Sequence, residues 1–182
     1  MRVLTPMPGR LAAVQDVQVL AGDVRDADIV ARAVADQDAV VVSLGMLPTW
    51  RRVTLFSRGI GNVIAAMQAA GVTRLIYLTG VGAGDSRGHG GFWFDNLVQP
   101  LLLREIYADK DASEVLVRAS GLQWTIVRPA LLTNGSTTAR YRILTQLQHI
   151  VASTIARGDV AHFVLDELER NEFVGAAPLL TY

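Results

Sequence analysis

Residues 38–44 read DAVVVSL, and residues 74–79 read RLIYLT. Each run carries apolar side chains at successive positions rather than alternating ones. Strands of that kind are buried on both faces, as in parallel sheets covered by helices. Between them, residues 52–70 place Leu55, Ile60, Val63, Ile64 and Met67 on one helical stripe. The stripe ends at Gly71, whose missing Cβ suits a left-handed C-cap. Strand, helix and strand of these lengths form a parallel βαβ crossover. The unbroken apolar run at 38–44 predicts a central strand.

Working outward, the same alternation recurs. VQVLA at residues 17–21 reads as a strand ending at Gly22-Asp23, and Asp26 caps a helix carrying Ile29, Val30, Ala33 and Val34. Residues 80–91 hold six glycines in twelve positions and form a loop. Phe92, Trp93 and Phe94 lead into a helix over about 95–120, predicted to bend at Pro100 and stopped by Gly121. The aromatic trio suits either stacking on a flat substrate or core packing. WTIVR at 124–128 is a strand closed by Pro129, 141–144 and 154–155 are weaker strand candidates, and 178–181 is a last, weak one. Residues 159–170 form an amphipathic helix capped by Asp159. The fold class is therefore α/β: a Rossmann-like, doubly wound, mainly parallel sheet with helices on both faces, in a single domain over 1–182.

Composition narrows the partners. Apolar residues make up 51% of the 182, yet no apolar stretch reaches the roughly 18 residues that span a bilayer. Seventeen basic and seventeen acidic residues cancel without a basic stripe, which speaks against nucleic acid and anionic membranes and for a small-molecule substrate. Absent cysteines exclude thiol chemistry, and three scattered histidines (His89, His149, His162) make no metal set. The start lacks signal-peptide regions, so a cytoplasmic location is expected; a homo-oligomer is left open. His162 reads as a surface or packing residue, and His89 lies where a substrate lid would be.

In such sheets ligands bind beyond the carboxyl ends of the strands. The candidate positions are Gly22-Asp23-Val24, Ser43-Leu44-Gly45, Thr79-Gly80-Val81 and Arg128-Pro129-Ala130, each pairing a small residue with a polar one.

Three segments carry a resemblance. Lys110 to Glu114 followed by Ser120-Gly121-Leu122 and WTIVRP (124–129), Gly22 to Asp26 (GDVRD), and Ala156 to Ala161 (ARGDVA) are similar, in order, to stretches of atypical short-chain dehydrogenase/reductases. Within these the chain most resembles the NAD(P)H-binding branch that includes flavin and biliverdin reductases. The resemblance implies a nicotinamide cofactor, NADP or NAD, with NADP slightly favoured. It implies that Asp23 and Val24 lie against the adenine, with Asp23 accepting from its amino group, and that Ser43, Leu44 and Gly45 pass beside the adenosine. Thr79 and Gly80 would stand near the nicotinamide and substrate, and Pro129 and Ala130 against the nicotinamide face. Lys110 would bond the nicotinamide ribose and lower the pKa of a neighbouring phenol.

Two departures bear on activity. The proton-donating tyrosine of that family stands four residues before the lysine, where this chain has Ile106; Tyr107 stands three before it. Three residues on a helix fall about 60° short of a full turn, so Tyr107 shares the face of Lys110 with its hydroxyl displaced. The second departure is the opening: nothing before residue 17 supplies a glycine-rich phosphate turn. Arg2 to Thr5 reads as the family's second strand, with the first β-α unit missing. Pro6 then stands where cofactor-selecting arginines occur, and Arg10 is a poor substitute for one. A late start codon, a true deletion and completion by a partner chain all account for this. The expected activity is hydride transfer from NAD(P)H to a flavin, quinone or similar conjugated acceptor, with Thr79, Tyr107 and Lys110 as the catalytic set. The alternative is a catalytically inactive nucleotide-sensing or protein-interaction module.

Overall fold

The computed structural model describes residues 1–11 and 16–182, and the side chains of all of these except Arg10 and Leu11. Nine strands are present among them: β1 Arg2–Thr5, β2 Gln18–Ala21, β3 Ala39–Ser43, β4 Arg74–Leu78, β5 Gln123–Pro129, β6 Leu131–Thr133, β7 Arg142–Leu144, β8 Thr154–Ala156 and β9 Leu179–Thr181. The helices are α1 Ala27–Val34, α2 Leu55–Ala70, α3 Gln99–Leu102, α4 Arg104–Ala119 and α5 Arg157–Arg170.

The main sheet has the order β3-β4-β5-β9-β7, parallel except for the antiparallel β7–β9 pair. β1 and β2 pair in parallel as a separate two-stranded sheet, and β6 and β8 as another. This is the expected Rossmann-like architecture, with one correction. Residues 39–43 are the end strand of the main sheet, not a central one, because among the described strands β1 pairs with β2 and not with β3. Val41 is 42% exposed in consequence. A 3-10 turn at Pro8–Leu11 follows β1. Pro6 is exposed, and the Arg10 side chain lies outside the described set.

Two cores lie on opposite faces of the main sheet. On one, Val30 and Val34 of α1, Ile60, Val63 and Met67 of α2 and Val117 of α4 pack over Leu75, Tyr77 and Ile126. On the other, Val160, Phe163 and Val164 of α5 pack over Ile76, Val127, Leu179 and Leu180. Successive residues of β4 and β5 thus feed both cores, which is why their sequences do not alternate.

Caps follow the sequence reading in part. The Asp26 carboxylate accepts from the amides of Asp28 and Ile29 at the start of α1, and Gly71 takes the left-handed conformation (φ 72°) after α2. Asp159 is not the cap of α5, which begins two residues earlier. Its carboxylate turns aside to accept from the amides of Thr138 and Ala139 and from the Tyr182 hydroxyl, fastening the 134–140 loop. The helix expected over 95–120 is broken at Leu103, not bent at Pro100. A π-helical turn at Phe94–Val98 precedes α3, and the Leu103 amide bonds both the Val98 and Gln99 carbonyls. Pro100 has no amide to give Asn96, and the wider turn absorbs that loss upstream.

Candidate active site

The chemistry-bearing residues gather where β4 and β5 end. The Thr79 amide donates to the Val127 carbonyl and the Val81 amide to that of Pro129, so the segment 79–81 continues the pairing of the two strands past the sheet. Gly80 sits between with φ 149°, a conformation that side chains resist. A Cβ added there would lie 3.5 Å from Lys110 Nζ, 3.6 Å from Tyr107 Oη and 3.9 Å from the Pro129 carbonyl oxygen. Four of the residues singled out from sequence therefore converge on one point.

Helix α4 supplies the side chains. Lys110 Nζ donates to the Thr79 carbonyl at 2.8 Å and lies 5.0 and 5.4 Å from the ring centres of Tyr107 and Phe56. Tyr107 Oη donates to the Val81 carbonyl at 2.9 Å. One turn beyond Lys110, the buried Glu114 carboxylate accepts from Thr79 Oγ1 at 2.8 Å and from Arg128 through Nε (3.1 Å) and Nη2 (2.6 Å). Asp85 holds the same Arg128 Nη2 at 2.5 Å. Asp109, also on α4, is the cap that the start of α2 lacks: it accepts from the Phe56 amide at 2.8 Å and from the Ser57 hydroxyl. Thus α4 fixes both the loop after β4 and the helix after β3.

Burial governs the protonation of these groups. It pushes the Tyr107 phenol up to about 12, helped by the charges of Asp111 and Asp95. It pulls Lys110 down to about 8 against the opposing attraction of Glu114. Tyr107 is therefore a neutral phenol at physiological pH, with its proton held by a backbone carbonyl. Lys110 is close to titrating.

A second region lies beyond β2. A cleft of about 590 Å³ is lined by Asp23, Arg25, Asp26, Ala27, Thr54, Arg58 and Asn62. Asp23, expected against an adenine amino group, has its carboxylate engaged by the Arg25 side chain at 2.6 and 3.0 Å and by the Arg25 amide. These bonds hold it down at about 2. Val24 is turned inward against the α1–α2 core, and its carbonyl accepts from Asn62. Ser43 is exposed, Leu44 packs against the core, and a Cβ at Gly45 would meet nothing within 4 Å. Ala130 is buried, its amide bonded to Leu180.

The remaining expectations divide. Phe94 packs edge-on against Tyr107, while Phe92 and Trp93 are 72% and 73% exposed. His89 Nδ1 faces the Ile150 carbonyl at 2.8 Å, tying the glycine-rich loop to residues 150–152. His162 lies beside Tyr141 and Asp166 at the surface. Sequence reading missed Glu114 as a working member of the cluster and passed over one signal: the seventeen basic residues are sixteen arginines and a single lysine, Lys110.

The sequence profile of the NAD(P)H-binding family matches residues 3–171. The chain belongs to that family. As in other sheets of this kind, its candidate residues stand at the carboxyl ends of parallel strands. Among curated proteins, the UPF0659 protein YMR090W of Saccharomyces cerevisiae is 30% identical over 152 residues, 80% of this chain and 63% of that protein. The chain thus spans less than two thirds of that relative's length. Among solved structures, a short-chain dehydrogenase/reductase from Veillonella parvula in complex with NADP superposes with a TM-score of 0.80 at 15% identity, over all of this chain and 82% of that one. ChuY, an anaerobillin reductase from Escherichia coli O157:H7, superposes with 0.77 at 24% identity, over 99% and 83%. At these identities the likeness is one of fold. The fold neighbours agree with the Rossmann-like architecture described above, and the family profile gives NAD(P)H binding. Among the described residues, no helix is long and apolar enough to cross a membrane and no group of His, Asp and Glu could hold a metal.

Proposed function

We propose that this chain is an NAD(P)H-dependent reductase that passes a hydride to a small conjugated acceptor of the flavin or quinone type. The observation that carries the reading is the convergence of Lys110 Nζ, Tyr107 Oη and the Pro129 carbonyl around the side-chain-free position of Gly80. Cationic and hydroxyl groups gathered at the carboxyl ends of parallel strands are what a ligand meets in a sheet of this kind. The family match supports a nicotinamide ring as that ligand, and the cofactor supplies the hydride. Lys110 positions the ring's ribose and holds protons at Nζ. The cleft beyond β2, with Asp23, Thr54 and Asn62 as polar partners, fits the adenosine end. Arg58 in the same cleft favours an added phosphate and hence NADP; Arg25 is already paired with Asp23. The exposed Phe92 and Trp93 offer apolar faces to a planar acceptor.

A second reading has one observation in its favour. The Thr79 and Tyr107 hydroxyl protons are both given to protein acceptors, as in a site that binds a nucleotide without turning it over.

Titration of the chain with NADPH and NADH, followed by nicotinamide fluorescence and calorimetry, tests the proposal. Micromolar binding, tighter for NADPH, together with NADPH-dependent bleaching of a quinone such as menadione, is expected. No binding below millimolar nucleotide refutes it, and binding without reduction of quinones or flavins selects the sensing reading.

A further inference from the structure

The donors around Gly80 can be counted. A hydroxyl has one proton to give and an ammonium three. The Thr79 hydroxyl gives its proton to Glu114, and the Tyr107 hydroxyl gives its own to the Val81 carbonyl. The nearby Ser113 hydroxyl donates to the Lys110 carbonyl. Lys110 Nζ spends one N–H on the Thr79 carbonyl and keeps two. Among the described residues converging on Gly80, it alone has protons left over, and it lies 3.5 Å from the position a Gly80 Cβ would occupy.

The choice of residue points the same way. The chain meets every other need for a basic side chain with arginine, sixteen times, and keeps its single lysine here. Arginine presents more donors and pairs better with carboxylates, but it does not release a proton at accessible pH, whereas a buried lysine does. Two effects oppose each other at Nζ. The rings of Phe56 on α2 and Tyr107 on α4 flank it and keep water away, which favours release, while their faces attract the charged form. Of the charged groups nearby, Glu114 is committed to Arg128 and Thr79. Asp109 is turned to the start of α2, and Asp111 to the Gly84 amide and Arg87. Burial accordingly draws Lys110 down to about 8.

We propose that Lys110, and not Tyr107, is the proton donor to the acceptor. This rests on the reductase reading above. In the step, the C–H bond of the reduced nicotinamide breaks and its hydrogen, with both electrons, forms a new bond at the electrophilic atom of the acceptor, a ring carbon of a quinone or enone or the ring nitrogen of a flavin-type imine. The π-electron pair moves to the far oxygen or nitrogen, which takes a proton from the Lys110 ammonium. The neutral amine is then reprotonated from water. The acceptors this admits are those whose reduction places negative charge on an oxygen or nitrogen within reach of Nζ.

The test has a spectroscopic arm and a kinetic arm. Reductive methylation with ¹³C-formaldehyde labels only Lys110 and the N-terminal amine, so the Lys110 methyl signal can be titrated alone. A midpoint near 8 is expected, and a midpoint at the ordinary lysine value of 10.5 overturns the proposal. In single turnovers at saturating NADPH with menadione, the wild type should slow tenfold per pH unit above about 8. Tyr107→Phe should keep that descending limb. Lys110→Arg should lose it together with at least a hundredfold in rate, and Lys110→Ala should recover with added ethylamine. Circular dichroism establishes that each variant is folded, and the amine rescue applies even where Lys110→Arg is not. Loss of the limb in Tyr107→Phe, a Lys110→Arg rate within threefold of the wild type, or no rescue by amines overturns the proposal while leaving the reductase reading intact. Failure of the wild type to bind NADPH overturns both.

Discussion

Replacing Glu114 by Gln removes the charge on which the site's polar network turns. Arg128 is fully buried, with a side-chain exposure of 0%, and Glu114 retains 3%. In the wild type the carboxylate receives Arg128 Nη2 at 2.6 Å, Nε at 3.1 Å and the Thr79 hydroxyl at 2.8 Å. A glutamine oxygen still accepts on one side, but its amide group sets N–H against N–H on the other. Breaking a buried ion pair from one side costs about 3–5 kcal/mol, because the remaining charge stays desolvated. Asp85 still meets Nη2 at 2.5 Å, but its own side chain is 75% exposed, so it offsets little; a loss of about 3 kcal/mol is expected. For a chain of this size that lowers Tm by about 6–12 °C. Urea unfolding followed by circular dichroism at pH 7 measures it, with Asp85→Asn as the exposed comparison, expected below about 1 kcal/mol. If Glu114→Gln costs less than about 1 kcal/mol, the buried pair does not hold the end of β5 and the reasoning fails.

Three further outcomes follow from the same geometry. Lys110 bears its full desolvation penalty below its folded pKa of about 8, and this is relieved as pH rises toward the unfolded value of 10.5. Wild-type stability relative to Lys110→Met should therefore be flat below pH 8 and rise between 8 and 10.5, at up to about 1.4 kcal/mol per pH unit; a flat difference throughout contradicts the buried ammonium. Gly80→Ala should cost about 1–3 kcal/mol through its φ of 149° and weaken NADPH at least tenfold, and unchanged nucleotide affinity would remove Gly80 from the ligand's path. Arg58→Ala should weaken NADPH about tenfold, roughly 1.4 kcal/mol, and NADH much less; equal losses for both would show that the cleft beyond β2 does not receive the added phosphate.

The sequence was most informative where a local rule sets the outcome. The run at 74–78 had to be a doubly buried strand, Gly71 a left-handed cap and Asp26 a helix start, and each is so. Local rules failed where a distant group competes for the same atoms. Asp159 looks like a cap, but the amides of Thr138 and Ala139 and the Tyr182 hydroxyl claim its carboxylate. Asp109 has no local task and caps a helix some fifty residues away in sequence. Residues 38–44 have the composition of a central strand, yet neighbour order is a property of the assembled sheet, and β3 ends it.

The candidate site divides in the same way. Sequence alone picked out Thr79, Gly80, Tyr107, Lys110 and Pro129, because strand ends, helical spacing and family resemblance are written along the chain. It also holds, in plain view, the fact that Lys110 is the single lysine. Which of these groups retains a proton to give is a different kind of fact. That depends on Glu114 reaching Thr79, on Tyr107 reaching the Val81 carbonyl and on burial around Nζ. Hydrogen-bond donors are spent pairwise and in space, so only the tertiary structure could leave Lys110 with protons to spare.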